Sequence, residues 1–166
     1  GLAKAGAIVV CSSSKKGGTN ATLKAIKKIG GKGIGIAANL SKRKSVEKLY
    51  QKAIKQTGKI DILVNNGGTI ARFPAVDFPA DEWDRVIEVN LSAAFRLAQL
   101  VGQQMIENGS GKIINIASML SYSGGITVPA YTASKHGIAG VTKALANEWA
   151  ANNIQINAIA PGYMKT

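Results

Sequence analysis

Five short apolar runs alternate with helical patterns along the chain, and this alternation is typical of a parallel sheet whose strands are joined by helices. The runs predicted as strands are Ala7–Cys11, Gly33–Ala38, Ile60–Val64, Lys112–Ala117 and Ile154–Ala158. Helical spacing is found in Thr19–Ile29, Ser45–Thr57, Asp81–Glu107 with a break near Asn90, and Tyr131–Asn152. Because strand–helix–strand crossovers are right-handed, the sequence predicts an α/β fold with a doubly wound, Rossmann-like parallel sheet.

The chain has 166 residues and contains neither a repeat nor a linker, so one domain over residues 1–166 is expected. No apolar run approaches the roughly 20 residues that a membrane-spanning helix needs. No signal peptide is visible either. The only cysteine, Cys11, excludes an internal disulfide and a cysteine-based metal site. We therefore expect a cytoplasmic, reducing environment, with no membrane partner and no metal.

Basic residues are concentrated at the start of the chain. Residues 1–60 contain thirteen lysines and Arg43 against the single acid Glu47, a net charge of +13, whereas residues 61–166 carry −1. Such asymmetry can indicate binding to nucleic acid. These lysines fall largely on the polar side of two amphipathic helices, and lysine without interleaved aromatic residues or arginine is a weak signature of nucleic-acid binding. A solvated helix face is therefore favoured over a nucleic-acid partner.

The segment Gly30–Gly35 looks like a phosphate-binding glycine loop, but its context is wrong. Such a loop needs a strand before it and the N-terminus of a helix after it, so that backbone amides meet the phosphate. Here a helix ends at Ile29 and a strand begins near Gly33. The glycines are therefore interpreted as a helix stop.

Tyr131 and Lys135 are four positions apart in a predicted helix, which places both on one face. Free tyrosine is a poor base at neutral pH. An ammonium about 4 Å away, at an effective dielectric constant of about 20, favours the phenolate by roughly 4 kcal/mol before solvent screening. The pair could therefore serve as an acid and base near neutral pH, although the spacing alone is also that of an ordinary surface pair.

Further polar and small residues follow the predicted strands at their carboxyl ends. Ser118 follows the fourth strand, Asn65–Gly68 end the third, and Pro161–Gly162 follow the fifth. Asn90 lies in mid-helix, where a buried amide needs a partner. In a parallel sheet these ends lie at one edge, where ligands bind. The sequence therefore predicts a ligand site at that edge.

The combination and order of these motifs resemble the short-chain dehydrogenase/reductase superfamily over essentially the whole chain. The stretches that carry the resemblance are Asp61–Asn66, Val89–Leu91, Asn115–Ser118, Tyr131–Lys135 and Asn157–Gly162. Two further stretches, 116–131 and 145–151, are similar to a sugar-acid subgroup that includes 2-deoxy-D-gluconate 3-dehydrogenase and 2-dehydro-3-deoxy-D-gluconate 5-dehydrogenase.

The resemblance implies a role for each catalytic residue. Tyr131 would pass a proton to or from the substrate oxygen, and Lys135 would hold the ribose of the nicotinamide cofactor. Ser118 would orient the carbonyl or alcohol, and Asn90 would tie Lys135 to a proton-relay water. The cofactor-binding residues implied are Ser13, Ser14, Asn39, Leu40, Asn65, Asn66, Gly67, Tyr131, Lys135, Pro161 and Gly162.

The chain departs from the superfamily pattern in three places. Gly67 stands where alanine is usual, and Asn39 stands where an aspartate usually meets the adenine amine. The glycine-rich strand, turn and helix that should precede Gly1 are not in the sequence, and neither is the C-terminal portion that should follow Thr166. The missing first strand would lie between Ala7–Cys11 and Ile60–Val64, so we expect the chain to be an excerpt of a longer enzyme.

The cofactor is expected to be NAD or NADP. No acid that could bind the ribose hydroxyls of NAD follows the first apolar run, whereas Lys15 and Lys16 lie next to Ser13 and Ser14 and favour the 2′-phosphate of NADP. Arg72 could clamp the carboxylate of a sugar acid, although the interpretation as a plain surface arginine is favoured over it. The resemblance also implies a homotetramer or homodimer built on the helices Leu91–Glu107 and Tyr131–Asn152.

We therefore expect an NAD(P)-dependent oxidoreductase that interconverts a secondary alcohol and a ketone, on a small-molecule substrate such as 2-deoxy-D-gluconate. Within the same chemistry, the alternative is a gluconate 5-dehydrogenase or a 3-oxoacyl-carrier-protein reductase. From other classes, the alternatives are an inactive chain and a basic fragment that binds nucleic acid.

Overall fold

A computed structural model of the protein describes residues Gly1 to Tyr163. The chain separates into two compact units, which we call the N-terminal unit (Gly1–Lys59) and the C-terminal unit (Ile60–Thr166). The expected single domain stays a prediction. None of the helices in the described range combines the length and the apolar composition that a bilayer crossing requires.

The N-terminal unit is two strands and two helices in alternation. Strand β1 (Val9–Ser13) pairs in parallel with β2 (Gly33–Ala37), and helices α1 (Asn20–Lys28) and α2 (Arg43–Thr57) follow them in turn. The predicted Ala7–Cys11 strand is shifted by two residues. Ser12 and Ser13 extend it because they pair with Ile36 and Ala37, and a backbone ladder does not require apolar side chains.

The two helices of this unit bury one face and expose their lysines, as predicted. Ile26 is buried in α1, and Val46, Leu49 and Ala53 are buried in α2. All thirteen lysines of the unit and Arg43 are exposed. The packing therefore supports the interpretation that these basic residues form the solvent-exposed faces of amphipathic helices.

The glycines after α1 end a helix and allow close packing, which confirms the rejection of a phosphate loop. Gly30 has a φ of +73°, a conformation that glycine adopts without steric cost. A Cβ added to Gly33 would lie 2.9 Å from Leu23 Cδ2, and one added to Gly35 would lie 2.6 Å from Thr19 Oγ1. The glycines of β2 therefore let α1 pack directly against the strand.

The C-terminal unit contains the remaining three strands and three helices. Its elements in chain order are β3 (Ile62–Asn65), α3 (Ala80–Ile87), a π-helical turn (Glu88–Ser92), α4 (Ala93–Glu107), β4 (Gly111–Ile116), α5 (Pro129–Trp149) and β5 (Ile154–Ile159). The strands are parallel, in the order β3-β4-β5. The α/β class, the parallel pairing and the strand number are as predicted.

The five strands form two sheets, β1-β2 and β3-β4-β5, whereas the sequence pattern predicts one doubly wound sheet. In the described residues β1 pairs with β2, and β4 pairs with β3 on one side and with β5 on the other. Each sheet is therefore described by itself.

A line of polar side chains crosses the core of the C-terminal unit. Asn65 Nδ2 on β3 donates to Asn115 Oδ1 on β4 at 2.9 Å and to Ala94 O on α4 at 3.2 Å. Asn115 Nδ2 in turn donates to Thr142 Oγ1 on α5 at 2.9 Å, and this hydroxyl donates to Ile138 O at 2.7 Å. The line therefore ties two strands to two helices, and each buried donor in it has a partner.

Asn115→Ala is expected to lower the free energy of unfolding by about 2 kcal/mol, because it leaves one of the two N–H groups of the buried Asn65 amide without an acceptor. Urea denaturation measures this loss. Asn157→Ala on the neighbouring strand β5 is the matched control, since Asn157 is exposed. Its effect is expected to stay below about 0.5 kcal/mol. Equal losses in the two variants would contradict a role for the buried line.

Candidate active site

Tyr131 and Lys135 lie together on the first turns of α5. The helix begins at Pro129, a residue suited to a first turn because its ring presets φ and its missing N–H would have no helical partner. Lys135 Nζ lies 5.5 Å from the centre of the Tyr131 ring. Lys135 is only 5% exposed, and the half-buried Tyr131 packs against Ala71, Val86 and Ala130. The predicted pairing of cation and phenol is therefore present.

The Lys135 ammonium is anchored at the end of strand β4. Its Nζ donates to Ile116 O at 2.5 Å, which is the one acceptor found for it among the described residues. Burial lowers the pKa of Lys135, because desolvation penalises the charged form. An ammonium has three N–H donors. Two of them thus remain for a polar ligand such as the hydroxyl groups of a ribose, and the donor set fits a nicotinamide nucleotide.

Ser118 follows β4 and is held in a reciprocal turn with Ser121. Ser118 Oγ accepts from Leu120 N at 3.2 Å, and Ser121 Oγ accepts from Ser118 N at 3.2 Å. The Ser118 side chain thus uses a lone pair, and its O–H has no acceptor in the part of the chain that the structure describes. This hydroxyl can therefore donate to a substrate oxygen.

Ser121 is a residue that the sequence analysis missed. It is buried, and its Oγ donates to Lys135 O at 2.7 Å while accepting from Ser118 N. One hydroxyl therefore joins the backbone at Ser118 to the backbone at Lys135. The Ser-x-x-Ser spacing of 118–121, which resembles a capping box, is the signal that could have identified it.

The predicted break near Asn90 is not a break, and the hydrogen bonds of the Asn90 side chain in the described residues go to Thr69 and Ser134. A π-helical turn continues from α3 into α4, with the Ala93 N–H bonded to Glu88 O. Such turns are frequent at functional sites. Asn90 is 2% exposed, and both of its N–H donors are used by Thr69 O and Ser134 Oγ, at 2.9 Å and 3.0 Å. Its predicted link to a proton-relay water therefore cannot use the side-chain amide hydrogens.

The strand ends that were expected to meet at one edge do so. Ala117 N donates to Ile159 O, and Met119 N donates to Pro161 O at 3.2 Å, which brings the segment after β5 against the Ser118 turn. Asn65 ends β3 beside Asn115 of β4. The Asn65 side chain, however, points into the core, where both of its N–H donors are bonded. A role in cofactor binding stays a prediction for Asn65, Asn66, Gly67, Pro161 and Gly162.

Two of the predicted cofactor residues in the N-terminal unit have local partners. Ser13 Oγ donates to Lys15 O at 2.8 Å. Asn39 Oδ1 accepts from Ser41 N at 3.0 Å and from Ser41 Oγ at 2.8 Å. Both lone pairs of this oxygen are thus occupied by a turn before α2. The expected adenine contact of Asn39, and the contacts of Ser14 and Leu40, stay predictions.

Comparison with known proteins gives a consistent set of similarities. A family model described as short chain dehydrogenase matches residues 1–166. The chain is 63% identical over 108 residues to 2-dehydro-3-deoxy-D-gluconate 5-dehydrogenase of Bacillus subtilis, covering 65% of this chain and 42% of that protein. The enzyme of the same name from Dickeya dadantii is 46% identical over 167 residues, covering 100% of this chain and 65% of that protein.

A solved structure has the same fold. A gluconate 5-dehydrogenase from Burkholderia cenocepacia, in complex with NADP and tartrate, superposes with a TM-score of 0.91 at 34% identity, covering 99% of this chain and 65% of that one. The chain therefore spans less than two thirds of the length of each of these three proteins.

Proposed function

The chain belongs to the short-chain dehydrogenase family, and on that premise we propose that it interconverts a secondary alcohol and a ketone of a sugar acid with NAD or NADP. The observation that carries the proposal is the buried Lys135 ammonium beside the Tyr131 ring, with two donors left for a ligand. A buried, incompletely bonded charge costs stability, and charges of this kind are concentrated at binding and catalytic sites.

In this proposal the nicotinamide ring supplies or accepts the hydride, and the residues of the chain handle the proton. Tyr131 takes the proton of the alcohol at its phenol oxygen during oxidation and returns it during reduction. Lys135 stabilises the phenolate by its charge, and its remaining N–H groups hold ribose hydroxyls. Ser118 donates its unused O–H to the substrate oxygen and orients it.

We propose oxidation at C5 of a deoxy sugar acid, with 2-dehydro-3-deoxy-D-gluconate as the first substrate to test. Both relatives carry a name for that activity, and the solved neighbour carries the name of a gluconate 5-dehydrogenase. This substrate replaces 2-deoxy-D-gluconate, the one expected from the sequence. The names of these relatives describe oxidation at C5, whereas a 2-deoxy-D-gluconate 3-dehydrogenase acts at C3. The gluconate 5-dehydrogenase alternative acts on the same class of substrate.

For the cofactor we propose NADP ahead of NAD. Lys15 and Lys16 are exposed beside Ser13 and Ser14, and no acidic residue lies among them. A 2′-phosphate is favoured by such basic groups, whereas a ribose diol is favoured by a carboxylate. The NADP bound to the solved neighbour supports the same choice.

Arg72 is proposed as the group that binds the substrate carboxylate. It is exposed, and no hydrogen bond or ion pair of its guanidinium is found within residues 1–163. The next residue, Phe73, donates its N–H to Thr127 O at 3.0 Å, which holds this segment beside the turn that leads into α5. A guanidinium there can form two parallel bonds to a carboxylate near Tyr131.

Arg72→Gln is expected to raise KM for a sugar acid about tenfold with little change in kcat, because a charge-assisted hydrogen bond is worth about 1.5–3 kcal/mol. Steady-state kinetics with the sugar acid and with an uncharged hexitol measure the effect. The hexitol KM should not change. Arg43→Gln is the control, since Arg43 is exposed and pairs with Glu47. A sugar-acid KM that stays at the wild-type value would contradict the assignment.

A substrate panel on the full-length gene product tests the function as a whole. It contains 2-dehydro-3-deoxy-D-gluconate, D-gluconate, 2-deoxy-D-gluconate, a hexitol and a 3-oxoacyl thioester, each with both cofactors. We expect the highest kcat/KM for one of the C5 sugar-acid substrates. Turnover of the thioester alone would replace the proposal by the carrier-protein reductase alternative, and turnover of none of them would reject it.

We also propose assembly into a homodimer or homotetramer through α4 and α5. Phe95 and Ile106 lie eleven positions apart on α4, which places them on one face, and both are exposed. Exposed apolar groups on one helix face are suited to a subunit contact. The partners proposed are therefore a small-molecule substrate, a nucleotide cofactor and further copies of the chain.

A further inference from the structure

A series of hydrogen bonds joins the segment after Gly68 to the start of α5. It begins at the surface with Arg85, whose Nε donates to Glu82 Oε2 at 3.1 Å and whose Nη1 donates to Thr69 Oγ1 at 2.6 Å. The ion pair with Glu82 fixes the guanidinium, and the guanidinium fixes the Thr69 hydroxyl. The fork geometry of arginine allows both contacts at once.

Thr69 is held at three atoms. Besides its hydroxyl, its N–H donates to Asn90 Oδ1 at 2.7 Å, and its carbonyl accepts from Asn90 Nδ2 at 2.9 Å. Asn90 is buried on the π-helical turn between α3 and α4. The backbone directly after the predicted cofactor segment is thereby clamped to the helix that carries Asn90.

Ser134 continues the series to the backbone of Tyr131. It is 0% exposed. Its Oγ accepts from Asn90 Nδ2 at 3.0 Å and donates to Tyr131 O at 2.7 Å. The Asn90 amide and the Ser134 hydroxyl at the buried end of the series are therefore hydrogen-bonded, and each bond has one defined donor and one defined acceptor.

The helix itself does not require this serine. A hydroxyl that bonds back to the helix backbone gives no gain in helix propensity over alanine, which is the better helix former. A buried polar series is also costly unless all of its members are satisfied, and it then fixes a single arrangement of the groups that it joins. Here the groups that it joins are the Thr69 backbone and the turn that carries Tyr131.

We propose that Arg85, Thr69 and Ser134 are positioning residues, which act through the Asn90 side chain to hold the first turn of α5 against the segment that follows Gly68. The effect on turnover rests on the proposed function, because it concerns where Tyr131 exchanges its proton. The effect on the structure does not rest on it. Misplacement of a reacting group by even 1 Å can lower turnover by about 100-fold.

Ser134→Ala and Thr69→Val are the variants that test the proposal. Each removes one hydroxyl of the series and preserves most of the side-chain volume. In each we expect kcat to fall about tenfold while KM for the cofactor and for the sugar acid stays within about twofold. Thr69→Ser restores the hydroxyl and is expected to recover wild-type kcat. Ser123→Ala is the control, since its exposed hydroxyl bonds only to Met119 O in the described residues.

The double variant reports whether the two residues act together. If one series transmits both effects, the loss of kcat in Ser134→Ala combined with Thr69→Val is smaller than the product of the single losses. A fully multiplicative loss would overturn the connection between the two ends. A Thr69→Ser variant as slow as Thr69→Val would overturn the role of the hydroxyl.

Hydrogen exchange at the Thr69 amide, measured without substrate, separates this inference from the proposed function. The amide bonds to Asn90 Oδ1, so release of Asn90 in Ser134→Ala is expected to speed its exchange, with no such change in Ser123→Ala. Faster exchange supports the series even if no sugar acid is turned over, in which case only the proposed function fails. Unchanged exchange together with wild-type kcat would overturn the inference.

Discussion

Tyr131→Phe is expected to lower kcat by a factor of about 1,000 while cofactor affinity changes by less than about twofold. Removal of the phenol oxygen removes the group that exchanges the proton, and general acid–base catalysis contributes about 10²–10⁴ to a rate. The phenylalanine ring keeps the packing against Ala71, Val86 and Ala130, so the fold is expected to be retained.

Turnover of the sugar acid and fluorescence titration of the reduced cofactor measure the two effects separately. Tyr122→Phe is the matched control, because Tyr122 is 73% exposed. It is expected to keep wild-type turnover. A Tyr131→Phe enzyme that retains more than about a tenth of wild-type kcat would contradict the acid–base role given to the phenol.

Lys135→Met is expected to weaken cofactor binding about tenfold and to lower kcat about 100-fold, since one ammonium serves both the ribose and the phenolate.

The same substitution is expected to raise the free energy of unfolding. Burial lowers the pKa of Lys135, so between the folded and unfolded pKa values the unfolded chain binds more protons. The contribution of this group to stability therefore increases as the pH rises through that window, and it is least favourable below it, where both states are charged.

Methionine removes the buried charge and preserves most of the length of the side chain. At pH 7 the free energy of unfolding of Lys135→Met is expected to exceed that of the wild type by about 1 kcal/mol, the trade-off typical of active-site residues. The difference should shrink as the pH rises toward the pKa of unfolded lysine. Urea denaturation at several pH values measures it, with Lys143→Met, an exposed position on the same helix, as the control.

A Lys135→Met protein that is less stable than the wild type at neutral pH would show that the bond to Ile116 O outweighs the desolvation of the ammonium. A cofactor affinity equal to that of the wild type would contradict the ribose contact. The two readouts are independent, because denaturation is measured without cofactor.

Local apolar periodicity predicted most of the strand and helix boundaries to within two residues. It could do so because burial of one face of an element imposes that periodicity on the sequence. The boundaries themselves depended on partners elsewhere in the chain. The third strand was predicted from Ile60 and begins at Ile62, since the Ile60 N–H bonds to Gln104 Oε1 on α4 and not to a strand.

The helix around Asn90 shows a different kind of limit. Asparagine in mid-helix correctly indicated an irregularity, because its amide competes with backbone hydrogen bonds. Periodicity could not distinguish a break from a π-helical turn. The partners of the Asn90 amide on this turn, Thr69 and Ser134, lie 21 and 44 residues away in the sequence, beyond the reach of any local pattern.

The sequence by itself determined the pairing of Tyr131 with Lys135, because a separation of four residues in a helix places two side chains on one face whatever surrounds them. Only the tertiary structure decided what each group bonds to. Lys135 Nζ donates to Ile116 O, Asn65 Nδ2 donates to Asn115 Oδ1, and Asn90 Nδ2 donates to Thr69 O. These partners are distant in sequence, and no local spacing encodes which of them the packing brings within hydrogen-bonding distance.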